Sequence, residues 1–245
     1  MDAPEPIAAW LWLSGSLLLA ILWTNLTWFF RQPPTDTTRE YVSREYVSRL
    51  TDWRFAPLLL QLLRLLYYVG LPYSALLWGR DAVIAGLLGL SGKKVDVPPA
   101  ASWLDWAYDV GWAAALGIGA WTLLALGWWA YRRALATAGS KDTVAGADAS
   151  GWALLREAAF HEIHWAFYRN ASLLTLGAYW GIWSGLALTA LEAAFNPAWR
   201  EGLTDPQKAP AQLMRGALAV VSGVLFWQTH NLWLAVTLHW GASWG

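Results

Sequence analysis

Residues 7–29 contain no charged side chain and are rich in Leu, Ala, Trp and Ile. At about 1.5 Å per residue, a helix over this run reaches across a hydrocarbon core of about 30 Å. Such a run has two fates, a large protein core or a bilayer. Composition decides between them. Only 14% of the residues are charged and 57% are apolar, whereas soluble domains carry about 25% charged residues. Too few charges remain to cover a soluble surface. Trp occurs 21 times, and its amphipathic ring suits membrane–water interfaces and large apolar packing sites. The expected fold is an all-α polytopic transmembrane bundle of about six to eight helices, with the lipid bilayer as its first partner.

Further apolar runs fall at 55–78, broken by Arg64 and Pro72, and at 111–131, followed by Arg132 and Arg133. The run at 82–90 is too short to span. Residues 152–169 read as a helix with polar residues, and 171–195 span again around one internal acid, Glu192. Residues 211–230 and 232–244 place His230 and His239 inside apolar sequence. The first run lacks a preceding basic segment and a small-residue cleavage site, so it reads as a retained anchor. Residues 137–151, rich in Gly, Ala, Ser, Thr and Asp, read as a flexible linker. They divide N-terminal helices in 1–136 from a C-terminal bundle in 152–245, all in one membrane domain. The duplicated REYVS at 39–48 reads as a solvated cytoplasmic helix or a local duplication, or else as a docking surface for a partner or anionic lipid headgroups.

Basic residues orient the chain. Arg31, Arg39, Arg44, Arg49 and Arg54 follow the first run, and none precedes it. The positive-inside rule then sets the N-terminus outside. Arg132, Arg133 and Lys141 fall on the same inner side after two more crossings. Lys and Arg total 17 against 17 Asp and Glu, so no basic excess points to nucleic acid. The absence of Cys excludes disulfides, thiol nucleophiles and Cys-ligated iron–sulfur clusters.

All four histidines, His161, His164, His230 and His239, lie after residue 160. Ionisable groups within apolar helices are costly and by default indicate function. At 100° per residue, Glu157, His161 and His164 fall within about 60° of one another, and Glu162 projects roughly 100° from His161. This stripe is open to three chemistries. Glu157, His161, His164 and His230 suit a divalent metal such as zinc or iron. The same groups can activate water as general bases. They can also serve as hydrogen-bonding glue between helices. His239 and Ser243 share a face at i, i+4, and antiparallel packing of the last two helices would carry His230 and His239 to the stripe.

At these residues the chain resembles the CAAX protease and bacteriocin-processing family, also called CPBP or Abi. FWQTH, at 226–230, matches the family's FxxxH motif. NLWLAVTLHWGAS is similar to its last motif, with His239 in place and Ser243 where Asn or Asp is usual. HWAFYR, at 164–169, fits the spacing of the EExxxR motif and keeps Arg169, but sets His164 and Trp165 at the two glutamates. A second register sets His161 and Glu162 there, with Ala166 at the Arg. The resemblance covers about the last 95 residues and implies an intramembrane glutamic peptidase of the bacterial inner membrane. It implies Glu157 or Glu162 as base, and His164 and His230 as the groups positioning water. His239 and Ser243 would stabilise the oxyanion, and Arg169 would organise the carboxylates. The substrate would be a membrane-embedded or lipidated peptide. Two other functions stay open from the residues. In one, His164, His230 and His239 are axial ligands of a tetrapyrrole, or part of a metal site. In the other, an inactive family member serves as an accessory or assembly subunit of a larger membrane complex.

Overall fold

The computed structural model describes residues 6–31, 53–79, 103–137, 150–229 and 231–243. The REYVS repeat, the short run at 82–90, most of the 137–151 linker and His230 lie outside the described residues. Eight α-helices and no strand occur among the described ones. They are α1 (Pro6–Arg31), α2 (Ala56–Leu65), α3 (Leu71–Gly79), α4 (Trp103–Thr137), α5 (Gly151–Phe195), α6 (Pro197–Thr204), α7 (Ala209–Thr229) and α8 (Leu232–Ala242). The segments Ala9–Phe29, Ala56–Ala75, Ala107–Ala134 and Ala209–Thr229 are each long and apolar enough to cross a membrane. Their outward faces carry Leu11, Leu18, Leu22, Ile118, Leu123 and Leu126, all exposed. In water such a surface would aggregate, whereas lipid tails accept it. The protein is an all-α integral membrane protein.

Helices α2 and α3 form one continuous rod through a single π-helical turn, Leu66–Gly70, whose end is marked by the Leu71 N–H bonding back to the Leu66 carbonyl. Pro72 explains that turn. Proline has no N–H, and its ring clashes with the carbonyl four residues earlier. Widening the preceding turn relieves the clash without ending the helix.

Helix α5 is not one rod. Were it straight, His164 and Glu192 would lie about 42 Å apart. Instead His164 Nε2 donates to Glu192 Oε2 at 3.0 Å. The chain reverses at Gly177, the one internal residue with non-helical angles, at φ 78° and ψ 174°. That region of backbone space is essentially reserved for glycine. The sequence predicts a break near residue 170, and it lies instead at Gly177, where the backbone can turn at little cost. Two more glycines let the arms meet closely. A Cβ on Gly181 would stand 2.6 Å from Leu173 Cγ, and one on Gly185 would overlap the Arg169 side chain. Both face the first arm, 151–176.

This hairpin is the centre of the molecule. Helices α1, α7 and α8 all pack on it, while α4 packs on α7 and α8. Ala9, Leu13, Ala75, Phe167, Tyr168 and Ala171 form one apolar cluster, joining α1 and α3 to the first arm. Ala166, Ile182, Phe226, Leu232 and Val236 form another, joining both arms to α7 and α8. Side-chain caps set where the site-bearing helices start. Ser150 Oγ accepts from the Ala153 N–H at 3.3 Å, and Asn231 Oδ1 accepts from the Trp233 and Leu234 N–H groups at 3.0 and 3.3 Å.

Gly177→Ala is expected to destabilise the protein by about 1–3 kcal/mol, the usual cost of forcing a side chain into that backbone region. Equilibrium unfolding in mixed detergent micelles measures it, and an unchanged midpoint would show that the reversal tolerates a Cβ.

Candidate functional site

The first arm of α5 presents polar groups on more than one face, because residues two apart on a helix point about 200° apart. Glu162 faces α8. It is fully buried, and His239 donates its Nδ1–H to Glu162 Oε1 at 2.9 Å. His239 is 4% exposed. The other carboxylate oxygen, Oε2, has no hydrogen-bond partner in the protein. His164 faces the second arm, where its Nε2–H meets Glu192. Its Nδ1 is buried without a partner. Two carboxylate–imidazole pairs thus flank one helix.

Aromatic rings orient both imidazoles. The His161 ring stacks on Trp165 at 5.6 Å and lies parallel to His239 at 5.6 Å, with Trp165 against the other two. The tyrosines Tyr67 and Tyr68, adjacent in the π-turn, both reach the His164 ring, at 5.2 and 5.1 Å. Tyr168 lies closer still, at 4.3 Å. Rotamers locked by such packing hold reacting groups in place more tightly than a loop would.

Arg169 is the most expensive residue in the bundle. It is 1% exposed, and none of its three guanidinium nitrogens has a hydrogen-bond partner in the protein. The guanidinium carbon lies 5.5 Å from the Phe226 ring centroid, a cation–π contact. Its opposite charge is Glu162, about two turns earlier on the same side of the arm. Long helical side chains lean toward the N-terminus, which aims Arg169 at Glu162.

The other expected site residues fall elsewhere. Glu157 is gripped by Arg64, with Nη1 and Nη2 at 3.1 and 2.5 Å from its two oxygens, and by Arg156 at 3.1 Å. About a third of its side chain is exposed, so it marks the polar end of the arm. Ser243 Oγ donates to the His239 carbonyl at 2.8 Å and closes the end of α8. Among the described residues, no three His, Asp or Glu side chains converge as a metal-ligand set. The structure therefore joins Glu162, His239, His161 and Arg169 in one neighbourhood and His164 in a second, with Glu157 at the polar end of the arm.

Sequence reasoning missed Glu192, Tyr67 and Tyr68 as site residues. Glu192 was readable only as a polar contact near a helix end. Its signal was its isolation as the single acid of an apolar run, but its partner depends on a chain reversal that helical periodicity does not reveal. No family model, curated protein or solved structure matches this chain.

Removing one partner of a buried ion pair leaves the other charge uncompensated, at about 3–5 kcal/mol. Glu162→Gln and His239→Ala are each expected to cost on that order, and the double variant less than their sum. The Arg64–Glu157 pair, each side chain about a third exposed, should couple by under about 1 kcal/mol. Two double-mutant cycles test the contrast, and additivity at Glu162 and His239 would refute their coupling.

Proposed function

We propose that the protein is an intramembrane hydrolase of the CPBP kind, a peptidase acting on a membrane-embedded or lipidated peptide. The observation that carries this reading is the buried Glu162–His239 pair. One carboxylate oxygen is held by an imidazole and the other is unpartnered, and the charge of this carboxylate acts on the buried, unpartnered Arg169 guanidinium. A carboxylate oriented in this way is a general base. An arginine with free N–H groups in a low-dielectric interior stabilises developing negative charge.

The chemistry follows from those roles. Glu162 Oε2 takes a proton from water, and the water oxygen bonds to the scissile carbonyl carbon. The oxyanion that forms faces the Arg169 guanidinium. Its collapse breaks the C–N bond, and the proton on Glu162 passes to the leaving nitrogen. The imidazole of His239 fixes the carboxylate, with His161 and Trp165 stacked against it. Ser243 takes no part, since its hydroxyl is committed to the end of its own helix. The contact from Glu162 to His239 favours the register in which His161 and Glu162 stand at the family's glutamate pair. Arg169 then lies one turn beyond the motif's arginine, on the face of the arm that carries Glu162. The basic residues after the first span favour an N-terminus outside, and a bacterial inner membrane is the proposed location.

Turnover of a membrane-reconstituted lipidated peptide is expected to fall about 10²- to 10⁴-fold in Glu162→Gln, the range of general-base contributions. In Glu157→Gln, whose carboxylate is occupied by two arginines, it should change little. Wild-type turnover by the folded Glu162→Gln variant would overturn the assignment.

A further inference from the structure

Helix α1 presents Leu11, Trp12, Gly15 and Ser16 on one face, at spacings that a helix brings together. Opposite them stands Leu71, the first residue of α3. These five residues line a cavity of about 360 Å³. Gly15 is what opens it. A Cβ added there would meet nothing within 4 Å, unlike one at Gly181 or Gly185. Close packing therefore does not account for this glycine, although glycine in a helix interior costs about 1 kcal/mol against alanine. What the missing side chain leaves is space.

That space has a definite chemical character. Its lining is aliphatic and aromatic apart from Ser16, whose polar groups are engaged. Ser16 Oγ donates to the Tyr67 hydroxyl oxygen at 3.4 Å, and the Tyr67 hydroxyl donates to the Ser16 carbonyl at 3.3 Å. A water there would lack the two to four polar partners it needs, whereas an apolar cavity of about 150 Å³ stays dry and takes up benzene. The cavity opens toward lipid, since Leu11 is 69% exposed and Gly15 is exposed beside it. Its depth follows from its place on α1. The membrane-crossing segment starts at Ala9. Leu11 then lies about 3 Å and Ser16 about 10 Å into a hydrocarbon core about 30 Å thick, within one leaflet.

We propose that this cavity is a binding site for one acyl chain of a bilayer phospholipid, drawn from the leaflet at the N-terminal end of α1. The occupant is hydrocarbon, because the lining asks for apolar contact and offers no set of polar partners. A phospholipid is its source, because its chains are what Leu11 and Gly15 face at that depth. The bound chain lies against Ser16, whose partner Tyr67 meets the His164 ring at 5.2 Å. His164 in turn pairs with Glu192. The lipid therefore backs the wall of the second carboxylate–imidazole pair without touching either member. The inference goes beyond the hydrolase reading and does not depend on it, since Glu162 and His239 lie in the other neighbourhood.

The probe is a phosphatidylglycerol with a diazirine at mid-chain, added in equimolar amount to the detergent-solubilised protein and photolysed. Peptide mass spectrometry then maps the label. The outward face of α4 is the reference, where Leu123 and Leu126 are exposed but line no part of this cavity. Residues 11–16 and Leu71 should take up at least about tenfold more label than that face, a preference of about 1.4 kcal/mol. In Gly15→Leu, whose new side chain enters the cavity, labelling at Leu71 should fall to the α4 level. Equal labelling of the two faces in the unaltered protein, or undiminished labelling in folded Gly15→Leu, would overturn the proposal. So would loss of the label when a lipidated peptide is added in excess, which would make the cavity a substrate subsite. Protection of residues 11–16 only in a dimer would overturn it in favour of a second copy. Should Gly15→Leu fail to fold, competition replaces it. Excess unlabelled phosphatidylglycerol should erase the difference between the faces, and a difference that persists would refute a saturable site. None of these readouts involves turnover, so a protein that binds the lipid and cleaves no peptide would uphold the site and refute the hydrolase alone.

Discussion

The single reversal of α5 at Gly177 is the constraint on which the interior depends. It turns one long polar-and-apolar helix into two antiparallel arms and sets Glu192 against His164. It also lays Gly181 and Gly185 on Leu173 and Arg169, so the Arg169 side chain is roofed by backbone. In a bilayer such an irregular residue is tolerated only where neighbouring helices satisfy what the backbone gives up. Two full helical arms on either side leave one residue out of register and little to satisfy.

Around that hairpin, burial and charge work against each other. Ionised groups are costly in an apolar interior, and the bundle reduces the cost by pairing them. Glu162 is paired with His239, His164 with Glu192, and Glu157 with Arg64. Pairing is incomplete on one side of the first arm. Arg169 there has charge opposite but no hydrogen bond, a condition close to the most expensive a membrane interior allows. Residues retained under such a penalty point to chemistry more than to packing, because a well-packed apolar substitute is often as stable or more so. The aromatic shell of Trp165, Tyr67, Tyr68 and Tyr168 has the complementary task of holding the imidazoles still.

Much of the fold was legible beforehand. The run 7–29 is α1, 111–131 lies within α4, 211–230 is α7 to within two residues, and 232–244 contains α8. Each is marked by unbroken apolarity, which local sequence carries in full. Arg64 and Pro72 interrupt the apolar run 55–78, yet the helix passes through Arg64 and a π-turn carries it across Pro72. The site was legible in its members more than in its pairings. His161, Glu162, His164, Arg169 and His239 were all singled out, and the structure brings most of them together. Glu157 and Ser243 were singled out on the same helical spacing, and each is held by a nearer partner, Arg64 and the His239 carbonyl. Spacing says which residues share a face. It does not say what stands opposite.

Sequence alone determined the solvent of this protein and the place of its uninterrupted apolar helices. Both follow from short-range facts, the length of uncharged runs and the requirement that a backbone in lipid satisfy its own hydrogen bonds. Tertiary structure alone decided that Glu162, set about 100° from the histidine stripe, is the acid buried against His239 while Glu157 stays at the polar rim. It also decided that Glu192 belongs to the interior. These outcomes depend on where the chain turns back and which helices then meet, and a pair 77 residues apart leaves no trace in local periodicity.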